Sequence, residues 1–292
     1  MQIEVQIVNA FVDGTTGGNP AGVVVDADGL TVAQKLKVAQ HVGLSETAFV
    51  SASDVATVKL EFFTPTRQIP HCGHATIATF SLLRQLGAVG EGRLSKETTD
   101  GNRAILVDGG MAFMEQRAPH YIQVATMSEL GGRVVASLGL TPTRLLSGVD
   151  PFVVNTGNAF LIVPLLDEPS VAELRPHWDL VESLSEGLDL IGYYVFSMTT
   201  KVRGRHAGAR MFAPRFGIPE EAGTGMAAGP LACFLHDYLR VEEREISIEQ
   251  GWLMQPPSPS VIMVRLEFAD DKISRLMAGG AARVVSSMRV DV

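Results

Sequence analysis

The sequence predicts an α+β protein with two pseudo-symmetric domains, each a curved sheet around one central helix. The first observation behind this prediction is a segment that occurs twice, once in each half of the chain. The repeated positions are Phe63/Phe212, Pro65/Pro214, Ile69/Ile218 and Pro70/Pro219. The second observation is that each copy leads into an apolar stretch of helical length. A repeat whose period is half of the chain indicates duplicated domains rather than a solenoid.

Alternation and turn signals define the elements of the first half. Apolar residues at every second position predict strands at residues 3–7 and 58–62, and the valine run at residues 23–25 predicts another. A turn is expected at residues 19–22, before the second of these strands. Thr31 predicts the start of a helix that runs through His41 and ends at Gly43. The first copy of the repeat predicts a helix over residues 75–86. A hairpin signal follows it at residues 108–110.

The second half repeats this order of elements. Strands are expected at residues 161–163, 193–198, 209–212, 261–268 and 282–288. Ser170 is expected to open a helix as Thr31 does, and residues 226–239 form the counterpart of the helix at 75–86. Residues 119–142 are the best linker candidate. The predicted domains are residues 1–122, to which the last strand at about residues 281–292 can be added, and residues 123–280.

Composition indicates a soluble chain with two ordinary domains. Of 292 residues, 46% are apolar and 19% are charged, which is enough material for two cores. The net charge of −8 argues against nucleic acid or an anionic membrane as a partner. Residues 1–5 lack the basic start of a signal peptide, and no apolar stretch is long enough to span a bilayer. Two cysteines do not make a disulfide framework, so a reduced, cytoplasmic protein is expected.

Glycines fall where a loop turns into a helix in both copies of the repeat: Gly73 in the first, Gly223 and Gly225 in the second. Glycine lets backbone N–H groups approach a ligand, and the first N–H groups of a helix have no partner within it. A carboxylate or phosphate bound there gains roughly 0.3–2 kcal/mol from the helix dipole. Two such helix starts facing a cleft would suit a small anion, although glycines that only relieve tight turns would give the same pattern.

Three side chains near the first helix start are candidates for chemistry. A helix N-terminus favours the neutral form of His74, and it should lower the pKa of Cys72 enough for a reactive thiolate. Epimerisation by two thiols is disfavoured because the position matching Cys72 is Ala222. A zinc site is disfavoured because the second copy has no matching His or Cys, so no metal is expected. Glu46, between a helix end and an apolar strand, is either a buried general base or a solvated surface residue.

Six motifs occur in order from the N-terminus to about residue 240 and cover both predicted domains. They are Gly18-Asn19-Pro20-Ala21-Gly22, Gly43-Leu44-Ser45-Glu46-Thr47-Ala48-Phe49, Phe63-Thr64-Pro65, Cys72-Gly73-His74-Ala75-Thr76, Arg210-Met211-Phe212-Ala213-Pro214 and Gly223-Thr224-Gly225-Met226-Ala227-Ala228-Gly229-Pro230. Together they resemble the PhzF-like phenazine-biosynthesis family. The resemblance implies the diaminopimelate epimerase-like fold, a mostly antiparallel sheet or barrel around a central helix in each domain. It also implies a homodimer and a cofactor-free isomerisation of a dihydro-hydroxyanthranilate ring.

The resemblance further implies roles for individual residues. Glu46 becomes the proton shuttle, His74 a proton-handling substrate contact, and Glu221 a second catalytic carboxylate. The implied substrate contacts are Asn19, Gly73, Ala75, Gly223, Thr224, Gly225 and Met226. Three positions depart from the family pattern: Glu221 replaces Asp, Met226 replaces Ser, and Gln68 replaces Glu. These departures retain the acid–base groups and put the phenazine substrate in doubt.

The sequence therefore predicts a metal-free and cofactor-free isomerase. It would transfer a proton by acid–base catalysis on a small carboxylate-bearing substrate, in a cleft between the two domains. A lyase, a dehydratase or an epimerase acting on an amino or hydroxy acid is the nearer alternative, because these enzymes begin with the same proton abstraction. A non-catalytic protein that binds a small molecule is the farther alternative.

Overall fold

A computed structural model describes all residues from 1 to 292. It divides into two compact units, the first formed by Met1–Glu115 with Gly279–Val292 and the second by Gln116–Ala278. Both units mix strands and helices, so the predicted α+β class is confirmed. None of the helices is both long and apolar enough to cross a bilayer.

Strands outnumber helices along the whole chain. The first stretch contains β1 (Gln2–Ala10), β2 (Asn19–Val24), α1 (Val32–Val42), β3 (Thr47–Ser51), β4 (Val58–Phe63), β5 (Gln68–Ile69), α2 (Gly73–Gln85), β6 (Gly92–Thr98), β7 (Gly101–Asp108) and β8 (Met111–Arg117). The next contains β9 (His120–Gln123), α3 (Glu129–Ser137), β10 (Phe152–Asn155), β11 (Ala159–Pro164), α4 (Glu168–Ala172), α5 (Trp178–Gly187), β12 (Gly192–Ser197), β13 (Ala207–Ala213), β14 (Ile218–Glu221), α6 (Gly225–Leu239), β15 (Glu245–Gln250), β16 (Ser260–Ala269) and β17 (Lys272–Gly280). The last strand is β18 (Ala282–Asp291).

The first unit is a mostly antiparallel sheet with α2 in its core. β1 pairs antiparallel with both β2 and β18, and β3 pairs antiparallel with β4. The pairs β2–β3 and β4–β6 are parallel. Helix α2 is buried from Gly73 to Leu83 and packs on β1, β2 and β18. A helix that is buried on all sides belongs in a core, which explains why its sequence carries almost no charge.

The second unit repeats the same pairing pattern. Antiparallel pairs join β10 to β11 and β12 to β13, whereas β11–β12 and β13–β15 are parallel. Helix α6 takes the position of α2, is buried from Gly225 to Leu235 except at Met226, and packs on β10, β11 and β16. A second core in this unit joins α3 and α5 to the sheet through Val134, Leu138, Val181, Leu184 and Tyr193. The repeated pairing pattern agrees with the duplication that the sequence predicts.

Local signals fix the predicted ends of α1 and the hairpin. Thr31 and Gln34 form a capping box, in which each side chain accepts from the backbone N–H of the other residue. Gly43 ends the helix in the left-handed conformation, with φ of 67°. The capping residue contributes about 1 kcal/mol to helix stability. Gly109 and Gly110 both have positive φ between β7 and β8, as a two-residue hairpin requires.

Three predictions of local structure are wrong. Residues 19–22 form the start of β2 rather than a turn, because Gly17 and Gly18 have already reversed the chain with φ of 64° and 89°. Ser170 lies inside the short helix α4, whose N-cap is Asp167, and the longer helix α5 was not predicted. Residues 119–142 are not a linker: they contain β9 and α3, whose apolar side chains enter the second core.

Gly18 gives a direct test of the turn before β2. A Cβ atom there would lie 2.8 Å from the carbonyl oxygen of Ala10, and the φ of 89° is strained for any residue with a side chain. We expect Gly18→Ala to reduce the free energy of unfolding by about 1–3 kcal/mol or more. Gly14→Ala is the control, because Gly14 also has positive φ but has open space around it. Urea unfolding measures both variants, and an equal loss in the two would contradict the steric argument.

Candidate functional site

Glu46 and His74 form a buried pair in the first unit. Glu46 directly precedes β3, and His74 lies in the first turn of α2. Oε2 of Glu46 is 3.3 Å from Nε2 of His74, and the two residues are only 7% and 4% exposed. The structure therefore excludes the solvated surface position for Glu46.

Two glycines place Glu46 next to α2. Gly43 turns the chain out of α1, and three residues later the carbonyl of Glu46 accepts a hydrogen bond of 3.1 Å from the N–H of Gly22. A Cβ atom on Gly22 would lie 2.8 Å from Oγ1 of Thr47, so only glycine lets β2 approach this closely. Asn19 is buried at the start of the same strand.

Cys72 is the N-cap residue of α2, and its thiol contacts the second nitrogen of the imidazole. Sγ of Cys72 lies 3.6 Å from Nδ1 of His74, and no side-chain hydrogen bond caps the helix. Burial raises the pKa of the Cys72 thiol and outweighs the lowering that the adjacent His74 causes. The prediction of a reactive thiolate is therefore wrong, because the cost of burying a negative charge exceeds the effect of the helix end. Gly73 and Ala75 are buried beside His74 in the same turn.

Glu46, Cys72 and His74 carry atoms of the kind that bind metals, within 4.8 Å of one another. One feature fits a row of side-chain contacts better than a metal site. The two ring nitrogens of His74 each have a separate contact, one with Glu46 and one with Cys72.

A buried lysine on β6 contacts the first turn of α2 through hydrogen bonds. Nζ of Lys96 donates to Oγ1 of Thr76 at 2.6 Å and to Nδ1 of His71 at 3.1 Å, and it lies 5.0 Å from the centre of the Phe62 ring. The Thr76 hydroxyl in turn donates to the carbonyl of Cys72 at 2.6 Å. Burial lowers the pKa of Lys96 to about 7, and burial together with the charge of Lys96 lowers that of His71 to about 2.

Glu221 lies at the end of β14 in the second unit, and its environment differs from that of its neighbour. Both guanidinium nitrogens Nε and Nη2 of Arg210 donate to the Glu220 carboxylate at 2.8 Å. Glu221 instead accepts a hydrogen bond from the hydroxyl of Thr224. The adjacent carboxylates therefore lie in different environments: Glu220 is held by an ion pair, and Glu221 accepts from a neutral hydroxyl.

The remaining predicted contacts lie around the start of α6. Gly223 and Thr224 precede the helix, and Gly225 begins it, with no side-chain hydrogen bond capping the first turn. The carbonyl of Gly225 accepts from Nε2 of Gln116 at 2.8 Å. The Met226 sulfur accepts a weak hydrogen bond of 3.4 Å from Nδ2 of Asn158. The Met226 side chain is thus held by its sulfur, a weak acceptor, where a serine would have a hydroxyl.

The structure brings the predicted residues together in two groups. Glu46, Gly73, His74 and Ala75 share the first unit with Asn19, and Glu221 shares the second unit with Gly223–Met226. Sequence reasoning missed Lys96 and Gln250. Both are buried polar residues on strands, at positions where the alternation expects an apolar side chain, and that mismatch was the available signal.

Known proteins similar to this chain agree on one family. The sequence matches the family PhzC-PhzF, described as "Phenazine biosynthesis-like protein", over residues 8–287. An uncharacterised isomerase of Escherichia coli is 30% identical over 98% of this chain and 97% of its own length. A trans-2,3-dihydro-3-hydroxyanthranilate isomerase of Pseudomonas chlororaphis is 29% identical over 94% of both chains. The resemblance inferred from the six motifs is confirmed.

The fold is similar to that of a solved structure. The crystal structure of a PhzF-family phenazine biosynthesis protein from Bacillus anthracis matches with a TM-score of 0.89 and 27% identity, and covers 100% of both chains. The predicted sheet with a central helix in each domain is confirmed.

The Lys96 cluster predicts a pH dependence of stability. Because the pKa of Lys96 falls from 10.5 to about 7 on folding, the unfolded chain binds more protons between these values. The stability that the neutral amine contributes is therefore lost as the pH falls from 10.5 to about 7. His71 acts in the same direction between 6.5 and about 2. We expect the wild type to lose stability relative to Lys96→Met between pH 10 and pH 7.

Urea unfolding at several pH values measures this difference. Lys37→Met is the control, because Lys37 is exposed on α1. Stability curves of the wild type and Lys96→Met that run parallel over this range would contradict the assignment of a neutral buried amine.

Proposed function

From the premise that the chain belongs to the PhzC-PhzF family and is an isomerase, we propose that Glu46 and His74 transfer the proton. The substrate is a small molecule that carries a carboxylate, and the reaction uses neither a metal nor an organic cofactor. The observation that carries this proposal is the buried contact of 3.3 Å between the Glu46 carboxylate and the His74 imidazole. At 3.3 Å the two groups lie just beyond hydrogen-bond distance, so a small approach of the side chains lets them pass a proton.

Glu46 is the base in this mechanism. It removes a proton from a carbon next to the substrate carboxylate, or conjugated with it. Both members of the pair are buried, so few water molecules compete with the substrate for hydrogen bonds to the carboxylate. His74 then supplies a proton or a hydrogen bond as charge develops on the substrate.

The Cys72 thiol supports this use of His74. Because burial raises its pKa, the thiol keeps its hydrogen, and in this proposal it donates that hydrogen to Nδ1 of His74. A neutral imidazole that accepts at Nδ1 carries its own hydrogen on Nε2, which faces Glu46. The ring can therefore give its Nε2 hydrogen to the substrate and take in its place the proton that Glu46 has removed.

The second unit supplies the remaining roles in this proposal. Glu221 manages protonation or substrate polarity, and its bond from Thr224 favours the charged carboxylate. Backbone N–H groups near Gly223, Thr224 and Gly225 bind the substrate carboxylate, since the start of a long helix attracts anions. The N–H groups beside Gly73 and Ala75 act in the same way in the first unit.

The departures from the family pattern have local explanations. Nε2 of Gln68 donates to Glu61 at 3.4 Å, and Glu61 also pairs with Lys35, so a glutamate at position 68 would face a like charge. Met226 offers the substrate a thioether in place of a hydroxyl. We therefore propose a substrate that needs no hydrogen bond from this position. A homodimer and a cytoplasmic location also belong to the proposal and rest on the resemblance alone.

Glu46→Gln tests the proposed base. The variant keeps the shape of the side chain and removes its basicity, so we expect kcat to fall by about 10²–10⁴-fold with an unchanged melting temperature. Turnover is measured on trans-2,3-dihydro-3-hydroxyanthranilate and on a panel of small amino and hydroxy acids. Glu4→Gln, on the exposed side of β1, is the matched control.

Mass spectrometry of the product separates the possible reactions. An isomerase leaves the mass unchanged, whereas a lyase or dehydratase lowers it by the mass of the group that leaves. Near-normal turnover by Glu46→Gln would contradict the assigned role. Ligand-induced stabilisation of the wild type without any chemistry would favour a binding protein instead.

A further inference from the structure

We propose that Gln250 is a positioning residue for Glu221, acting through the hydroxyl of Thr224. This inference rests on the proposed function, because only there does the Glu221 carboxylate take part in the reaction. Gln250 ends β15, far in sequence from both residues that it holds, and it is only 1% exposed. No motif of the sequence points to it.

All four hydrogen-bonding positions of the Gln250 amide have partners. Its Oε1 accepts from the Tyr194 hydroxyl at 2.8 Å and from the Thr224 backbone N–H at 3.1 Å. Its Nε2 donates to the Glu221 carbonyl at 2.6 Å and to Oγ1 of Thr224 at 3.2 Å. Turning the amide over would set Nε2 against the N–H of Thr224, which cannot accept. The contacts therefore allow one orientation of this side chain.

This orientation sets the direction of the Thr224 hydroxyl. A threonine hydroxyl has a single hydrogen, and its oxygen already accepts from Nε2 of Gln250. The hydrogen is therefore available for Oε2 of Glu221, which accepts it. Thr224 is the N-cap residue of α6, yet its side chain does not cap the helix. Its hydroxyl donates to the Glu221 carboxylate, and its oxygen does not accept from a backbone N–H group of the helix.

Tyr194 contacts only Oε1 of the amide and neither Thr224 nor Glu221 through a hydrogen bond. The side chain is fully buried between strands, and burial raises the pKa of its hydroxyl, with the charge of Glu221 adding to the effect. The hydroxyl therefore keeps its hydrogen and remains a donor to Gln250. Because Tyr194 acts only on Oε1, its loss leaves both donations from Nε2 intact.

Substitutions can remove the contacts of Oε1 and those of Nε2 separately. Gln250→Glu keeps both acceptor contacts at Oε1 and loses both donations from Nε2, so the Thr224 hydroxyl can turn from Glu221 to the new carboxylate. Tyr194→Phe removes one contact at Oε1 and keeps both donations. Gln250→Met removes the donations without adding a charge. Thermal unfolding of each variant shows how much fold stability it has lost.

If Gln250 positions Glu221, loss of the Nε2 donations should lower activity, whereas loss of the Tyr194 contact at Oε1 should not. We expect Gln250→Glu and Gln250→Met to lower kcat by roughly 10- to 100-fold, the range for losing a hydrogen bond to a charged group, with KM changed by less than about twofold. In protein with ¹³C-labelled Glu side chains, the Glu221 carboxyl resonance, assigned by its loss in Glu221→Gln, should titrate at higher pH in both variants. Tyr194→Phe should leave kcat and this titration close to wild type.

A purely structural role predicts another pattern. Each variant, including Tyr194→Phe, would then lose activity in proportion to the stability that it has lost. The pH at which Glu221 titrates would not change. This result would overturn the proposal. If Glu221→Gln keeps wild-type kcat, the proposed function of Glu221 fails. The Glu221 titration in Gln250→Met still decides whether Gln250 controls that carboxylate.

Discussion

The proposed chemistry depends on one contact, the buried pair of Glu46 and His74. Two acid–base groups held 3.3 Å apart and away from water are costly to bury unless each stabilises the other. The surrounding structure keeps them together: Gly22 binds the backbone of Glu46, Cys72 holds the far side of the imidazole, and the Lys96–Thr76 chain supports the helix start. The first contact joins β2 to the residue before β3, and the other two lie in the first turn of α2 or link that turn to β6.

Duplication provides the same scaffold twice, with different chemistry at the two helix starts. Both units place a buried helix against the same pattern of parallel and antiparallel strands. In the first unit the helix start carries Cys72 and His74. In the second unit the matching position is Ala222, and the polar groups are Glu221 and Thr224. The two helix starts therefore carry different polar groups on the same scaffold.

Much of the fold could be predicted because its signals are local. The capping box at Thr31 and the repeated helix starts involve residues close in sequence, and the structure confirms these elements. A buried polar residue in an alternating strand marks Lys96 and Gln250 locally, but their partners depend on which strands pair, which no local pattern contains. Cys72 shows a further limit, because its pKa depends on the depth of burial, which the helix-end rule does not include.

Solvent deuterium incorporation tests proton transfer by Glu46 most directly. The wild type and Glu46→Gln are incubated in D₂O with trans-2,3-dihydro-3-hydroxyanthranilate and small carboxylate-bearing candidates, and followed by NMR. We predict that the wild type exchanges a carbon-bound hydrogen of its substrate with solvent and that Glu46→Gln does not. Equal exchange by both proteins, or product formation without any role for Glu46, would contradict proton transfer through the Glu46–His74 pair.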